Sequence, residues 1–250
     1  MSTHIQLSSK NYIELNYLDH QKRDLILIFP GGGYQYTSSR EGKPVSDKFQ
    51  RLGYHTAIYH YRETLLIHPD VIQEVKDVLE KLRTLEFIDK LFVLGFSAGG
   101  HLALHSMITY PKLIDGGILG YPVVSSMPAA IHKGSFRTLT GSDNPNDYEQ
   151  VSLENLIHTT LPPIFIFHTS DDASVPVVNT LLLKKALEQT KTRFEIRLYD
   201  HGPHGLSIAT KEVAFEGWDK DHFEYEFRQI SGWVNLAHEF LKTIELREPR

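Results

Sequence analysis

Lys90-Leu91-Phe92-Val93-Leu94-Gly95-Phe96-Ser97-Ala98-Gly99-Gly100-His101 is the stretch on which the fold of this chain turns. Leu91 to Leu94 is an unbroken apolar run, as a central parallel strand covered on both faces requires. Gly95-Phe96-Ser97-Ala98-Gly99 follows the G-x-S-x-G pattern. Leu102, Ala103, Leu104 and Met107 then begin what reads as an amphipathic helix ending near Pro111. Strand, sharp turn and helix in that order push the serine hydroxyl out at the carboxyl edge of a sheet, and Gly95 and Gly99 leave room for the backbones that crowd the turn. Ser97 then lies beside the first helical N–H groups, where developing negative charge is favoured. The five-letter pattern alone arises by chance. The strand before it and the helix after it make Ser97 a candidate nucleophile.

Upstream, Asn11 to Leu18 alternates loosely and reads as an edge strand. Leu25 to Phe29 is a buried strand running into Pro30-Gly31-Gly32-Gly33-Tyr34, where three consecutive glycines suggest a loop that exposes its N–H groups. Glu41 to Leu52 reads as a short helix, His55 to Tyr61 as a strand, and Pro69 to about Leu85 as an amphipathic helix. Downstream, Ile118, Leu119 and Tyr121 mark a short strand. Ser125 to Leu161 has poor periodicity and is long for a simple connection, as a lid or substrate-shaping insertion would be. Ile164 to Phe167 resumes the strand pattern and delivers His168-Thr169-Ser170-Asp171-Asp172. A helix opens at Pro176, a less buried strand runs through Phe194, Ile196 and Leu198, and Asp200-His201-Gly202-Pro203-His204-Gly205 is a loop. Lys211 to Glu224 is ambiguous, and Ile230 to Ile244 makes a final helix. Strand and helix alternate throughout. The expectation is an α/β fold, a mostly parallel sheet with helices on both faces, in one domain spanning residues 1–250.

Composition narrows the chemistry. With no cysteine among 250 residues, disulfides, thiolate metal sites and cysteine nucleophiles are excluded, and the absence fits the cytoplasm. The first residues carry no basic flank and no apolar core, unlike a signal peptide. A formal charge of −5 argues against a nucleic-acid partner, and no apolar run approaches membrane-spanning length. The 14 histidines are scattered and expected mostly at surface or loop positions. The final helix and an exposed edge strand could support a homodimer.

Serine needs a base to remove its proton as it attacks, and the base needs an acid that fixes its tautomer. Both should leave the same sheet edge. Asp172 follows one strand and His204 follows the last; each has a rival in Asp171 and His201. His204 is preferred for the close approach that Gly205 permits, and Asp172 for its spacing from Val175-Pro176. His168, at the end of an apolar strand, reads as a hydrogen-bonded core residue. A phosphate-binding reading of the glycine loop fails because no Gly-Lys-Ser/Thr follows, and the G-x-G-x-x-G spacing is absent. The glycines instead suit an oxyanion: Ala98 N–H, directly after Ser97, with Gly32 and Gly33.

Pro30 to Tyr34, Gly95 to Ala103, His168 to Pro176 and His204-Gly205 together resemble the bacterial acetyl-esterase and xylan-esterase-like α/β-hydrolases, relatives of the hormone-sensitive-lipase group. The similarity runs from about Leu25 to Leu241 and is most specific around Ser97. It implies the α/β-hydrolase fold, a triad of Ser97, Asp172 and His204, and an oxyanion hole of Gly32, Gly33 and Ala98. It implies a cofactor-free and metal-free serine carboxylesterase acting on short-chain, mainly acetyl, esters of sugars or simple alcohols. Two positions depart from the pattern: Pro30, where the lipase-like group usually has histidine, and Thr169, where glycine commonly follows the strand-end histidine. Tyr34, Tyr36 and the insertion are expected to shape the substrate pocket. An aryl-formamide or small peptide amide is the alternative substrate on the same triad. A ligand-binding module on the hydrolase scaffold is the alternative of another class, and a metal-dependent hydrolase using Asp200, His201 and His204 is a fourth.

Overall fold

Period-two alternation along the central strands sets the layers. In β3 (Arg23–Phe29), Leu25, Leu27 and Phe29 enter one core, and Ile26 and Ile28 enter the other. In β5 (Ile88–Phe96), Leu91 and Val93 face the first core, and Phe92, Leu94 and Phe96 the second. A strand buried on both sides needs helices on both sides. The computed structural model describes residues 1–245 and supplies them.

The sheet has eight strands in the order β1-β2-β4-β3-β5-β6-β7-β8, with β1 (Ser2–Gln6), β2 (Tyr12–Asn16), β4 (His55–His60), β6 (Gly116–Gly120), β7 (Ile164–Thr169) and β8 (Phe194–Tyr199). β1 and β2 pair antiparallel, as do β2 and β4; every other pairing is parallel. α1 (Lys43–Arg51) and α7 (Trp233–Glu245) contribute to one core, with α6 (Lys220–Glu226). α2 (Asp70–Arg83), α3 (Ser97–Thr109) and α5 (Val178–Gln189) contribute to the other. This is the α/β-hydrolase arrangement.

Two expectations are corrected. The strand near residues 11–18 is not at an edge, because Ser2 to Gln6 adds a further strand outside it; at four-fifths polar that segment carried no apolar signal. The helix after Ser97 is not amphipathic. Every residue from Ser97 to Met107 is buried, because the insertion packs over the side that solvent would otherwise occupy. Four of the 14 histidines, His55, His101, His105 and His168, are buried; the others are exposed or part-buried. His101 and His105 lie four apart on α3, and His68 stacks on His105 with ring centroids 5.5 Å apart.

The buried imidazoles make stability depend on pH. Burial, above all, pushes His101 down to about 4 and His105 to about 3, and lowers His68 as well. In the unfolded chain these groups take up protons near pH ~6.5. Below that pH the unfolded state therefore binds more protons than the native state, and stability falls as pH falls. The exposed His201 is raised, chiefly by its hydrogen bond to Asp171, and acts in the opposite sense, but solvent screens it. Calorimetric Tm should hold steady above about pH 7 and decline from about 6.5 towards 4. An unchanged Tm across that interval would contradict the buried, neutral assignment.

Candidate active site

β5 ends at Phe96 and α3 begins at Ser97 with no loop between them. That junction is achieved by a left-handed backbone at Ser97, φ 52°. A non-glycine residue held there costs about 1–3 kcal/mol, and such strain persists only where the surroundings over-determine it. Here they do. Gly99 lies so close to the end of β3 that a Cβ on it would stand 2.1 Å from the Phe29 carbonyl oxygen. The Val123 N–H donates to the Ser97 carbonyl at 3.1 Å. The result presents Ser97 Oγ above the sheet edge.

Two further strand ends deliver its partners. His204, after β8, has Nε2 2.9 Å from Ser97 Oγ and Nδ1 2.7 Å from Asp172 Oδ2. Asp172, after β7, is 5% exposed and is itself held: its Oδ1 accepts from the Ser174 and Val175 N–H groups, each at 2.9 Å. His168 is fully buried. Its Nε2 lies 2.9 Å from the Val175 carbonyl oxygen, which can only accept, so Nε2 carries the proton. Its Nδ1 then accepts from Thr180 Oγ1 at 2.8 Å, and the Nε2 proton also faces Asp172 Oδ2 at 3.4 Å. Burial works to raise the Asp172 pKa, but hydrogen bonds from His168, His204 and the Val175 N–H outweigh it and hold the carboxyl below the usual range. Asp172 is thus a persistent carboxylate.

The rival residues pair with each other instead. His201 Nδ1 lies 2.8 Å from Asp171 Oδ2 on the surface, with Glu226 Oε1 3.3 Å from its other nitrogen. Among the described residues there is no group of three or more His, Asp or Glu arranged to hold a metal ion.

The loop after β3 curls beside Ser97. Gly32 has φ 125°, and a Cβ there would stand 2.2 Å from the Tyr36 carbonyl oxygen, so only glycine allows this turn. Among the described residues the Gly32 and Gly33 N–H groups make no hydrogen bond within the chain. Ala98 N–H, in the first turn of α3, has no intrahelical acceptor. Behind the loop stands Glu41, 4% exposed. Its Oε2 accepts from Gly31 N–H at 2.8 Å and its Oε1 from the Tyr121 hydroxyl at 2.6 Å. Tyr121 also packs its ring against His204, centroids 4.9 Å apart. Neither Glu41 nor Tyr121 was a candidate from sequence. Both are isolated polar positions that acquire a role only when two strand ends meet.

A cavity of about 520 Å³ opens over Ser97 and His204. Its wall combines Gly32, Gly33, Gln35, Tyr36, Ser38 and Arg40 with Glu41, Phe215, Ser174 and, from the insertion, His132 and Gly134. Of the two tyrosines expected to shape the pocket, Tyr36 lines this cavity and Tyr34 does not. Tyr34 has φ 62°, which turns it inward; it is fully buried, and its hydroxyl lies 2.8 Å from His101 Nδ1. The insertion is packed, not loose: Phe136, Leu139, Tyr148 and Val151 join the core, and the Val151 carbonyl oxygen lies 2.8 Å from His101 Nε2. No described helix is long and apolar enough to cross a membrane.

The geometry has counterparts. The sequence profile of the prolyl oligopeptidase family matches residues 58–228. The chain is 33% identical over 232 residues to endo-1,4-beta-xylanase B of Butyrivibrio fibrisolvens, covering 83% of this chain and 36% of that protein. It is 30% identical over 225 residues to the acetylxylan esterase of Xylanibacter ruminicola, covering 84% of this chain and 45% of that protein. The chain thus spans less than half the length of these relatives. A crystal structure of a sugar hydrolase from Lactococcus lactis superposes with a TM-score of 0.81 at 28% identity, covering 97% of this chain and 98% of that one.

Proposed function

The chain belongs to the prolyl oligopeptidase family of α/β-hydrolases, and from that premise we propose that it is a serine carboxylesterase releasing short acyl groups, acetyl foremost, from hydroxylated alcohols such as sugars. The observation that carries this is the unbroken relay Ser97 Oγ, His204 Nε2, His204 Nδ1, Asp172 Oδ2, at 2.9 and 2.7 Å, beside free loop N–H groups. Ser97 attacks the acyl carbon while His204 takes its proton, and Asp172 steadies the imidazolium. The oxyanion forms against the N–H groups of Gly32, Gly33 and Ala98, one such donor being worth about 3–4 kcal/mol of barrier. His204 returns the proton to the leaving alcohol. Water, deprotonated by His204, then attacks the acyl-enzyme; the acyl carbon–Oγ bond breaks, Ser97 Oγ takes the proton back from His204, and the acid is released.

The family name points to peptides, and the same relay would cleave an amide. Two features favour the ester of a polyol. The cavity wall carries Gln35, Ser38, Arg40 and Ser174, donors and acceptors suited to hydroxyl groups, with Tyr36 and Phe215 among them. The core behind the serine, among Tyr34, Val123, Phe136 and Leu139, holds no water-sized void, which suits a small acyl group. A relative of 30% identity is an acetylxylan esterase, which points the same way.

The test is p-nitrophenol release from acetyl, butyryl and octanoyl esters, followed by acetylated sugars and a proline-containing peptide amide. Expected is turnover that is highest on acetyl and drops about tenfold or more by octanoyl, a difference of ~1.4 kcal/mol in transition-state binding. A preference for octanoyl would overturn the short-acyl assignment, and turnover of the peptide alone would move the proposal to amides.

A further inference from the structure

His132 lies in the insertion, where periodicity offered no guidance, and it is the N-terminal cap of α4 (Lys133–Thr140). Its Nδ1 accepts from the Ser135 backbone N–H at 3.3 Å and lies 2.8 Å from Ser135 Oγ. The Ser135 N–H is shared between Nδ1 and the His132 carbonyl oxygen, 3.0 Å away; because it can only donate, the cap geometry places the lone pair on Nδ1 and the proton on Nε2. The positive end of the helix favours the same neutral form. Burial, with His204 nearby, also lowers the His132 pKa. The ring is half-buried, its Cε1 lies 3.8 Å from where a Cβ on Gly33 would be, and it shares the cavity wall with Ser97, His204 and Gly134. Among the described residues Nε2 has no hydrogen-bond partner, and the cavity is what the ring borders.

We propose that His132 is a substrate-binding residue: the helix cap locks its tautomer so that a neutral Nε2–H faces the active-site cavity beside the oxyanion loop and donates to an oxygen of the bound ester. An imidazole kept neutral at a helix N-terminus and used as a donor is an established chemical device. Its advantage here is that it adds a donor without adding a second base. Ser97 must give its proton to His204, and an imidazole whose Nδ1 is committed to a backbone N–H and whose Nε2 is protonated cannot compete for it. This inference rests on the esterase assignment above.

The capping role and the donor role can be separated. Asparagine is among the best helix N-caps, so His132→Asn keeps the cap while its shorter amide is withdrawn from the cavity. His132→Ala loses both. Expected is a fall in kcat/KM on an acetylated sugar of about tenfold in both variants, the loss of one neutral hydrogen bond. Tm should fall only in His132→Ala. A loss carried by kcat assigns the donor to the reacting carbonyl oxygen, and a loss carried by KM assigns it to a hydroxyl of the alcohol; either supports the proposal. His132→Asn with wild-type kcat and KM overturns it, as does a loss confined to His132→Ala that tracks its Tm. Ser97→Ala is assayed alongside. If the wild type lacks ester turnover, or Ser97→Ala retains it, the esterase assignment fails. If Ser97→Ala is inactive and His132→Asn is unimpaired, only the role of His132 fails.

Discussion

Replacing Ser97 by alanine is expected to lower kcat on p-nitrophenyl acetate about a millionfold, leaving Tm near that of the wild type. Alanine fits the site: it adds no atom at a residue that is 6% exposed and keeps a Cβ where the φ of 52° already holds one. What disappears is the one oxygen that His204 Nε2 reaches, at 2.9 Å. The remaining rate would come from the loop N–H groups and from substrate binding alone. In the proposed mechanism Ser97 and His204 act as a unit, so His204→Ala should cost about as much, and the double variant should be little worse than either. Additive losses would show that the two do not work on the same proton. Turnover that survives Ser97→Ala, in protein purified away from any host esterase, would sink the proposed mechanism. Inhibition by a chelator would point elsewhere, to the metal-dependent alternative.

Asp172→Asn should lower kcat about ten-thousandfold. The cause is tautomeric. The Asn oxygen can keep the two bonds from Ser174 and Val175 N–H, each 2.9 Å in the native protein. Its NH2 then points at His204 Nδ1, which must switch from donor to acceptor. The His204 proton moves to Nε2, and Ser97 loses its base. The same NH2 would face the Nε2–H of His168, now donor against donor across a contact of 3.4 Å in the native protein, so Asp172→Asn should also be less stable by about 1–3 kcal/mol in denaturant unfolding. The pH dependence has a definite sign. The native Asp172 carboxyl is held below the ordinary range, so its stabilising effect is complete above about pH 4, the unfolded value, and is lost only as pH falls through the lower native one. Asp172 therefore does not set the acid limb of the rate profile. Asp171→Asn is the natural control: its partner is His201, and its loss should leave the rate on acetyl esters within about twofold, as surface charge changes usually do. Equal effects of the two substitutions would refute the pairing of Asp172 with His204.

Much of this molecule was legible because local chemistry and global architecture agree. The apolar runs at 25–29 and 91–94 are buried on both faces, and no other environment would satisfy them. Glycines at 95 and 99 before and after a serine announce a crowded turn, and the backbone contacts at Gly99 bear out that crowding. Other features were illegible for identifiable reasons. Ser2 to Gln6 is polar and four of its five residues are exposed; it becomes a strand because β2 offers it an edge. His101 and His105 look like surface residues in composition. They are buried because the insertion covers α3, a contact between segments some fifty residues apart, as in the bond to Val151.

The chain order of strand and helix, the elbow at Ser97, the glycine loop and the approach of one acid and one histidine to the same edge are determined by the sequence, since each follows from hydrophobic period, steric need or chain order. The choice between Asp172 and Asp171, between His204 and His201, and between Tyr36 and Tyr34 belongs to the tertiary structure. Neighbouring side chains leave the backbone in different directions, and only the docking of β7 beside β8 settles which carboxylate meets which imidazole. The same holds for Glu41, Tyr121 and His132. A single polar residue carries no periodicity: Glu41 meets Tyr121 at 2.6 Å only through packing, and His132, capped locally by the Ser135 N–H, reaches the cavity wall only once the insertion has docked.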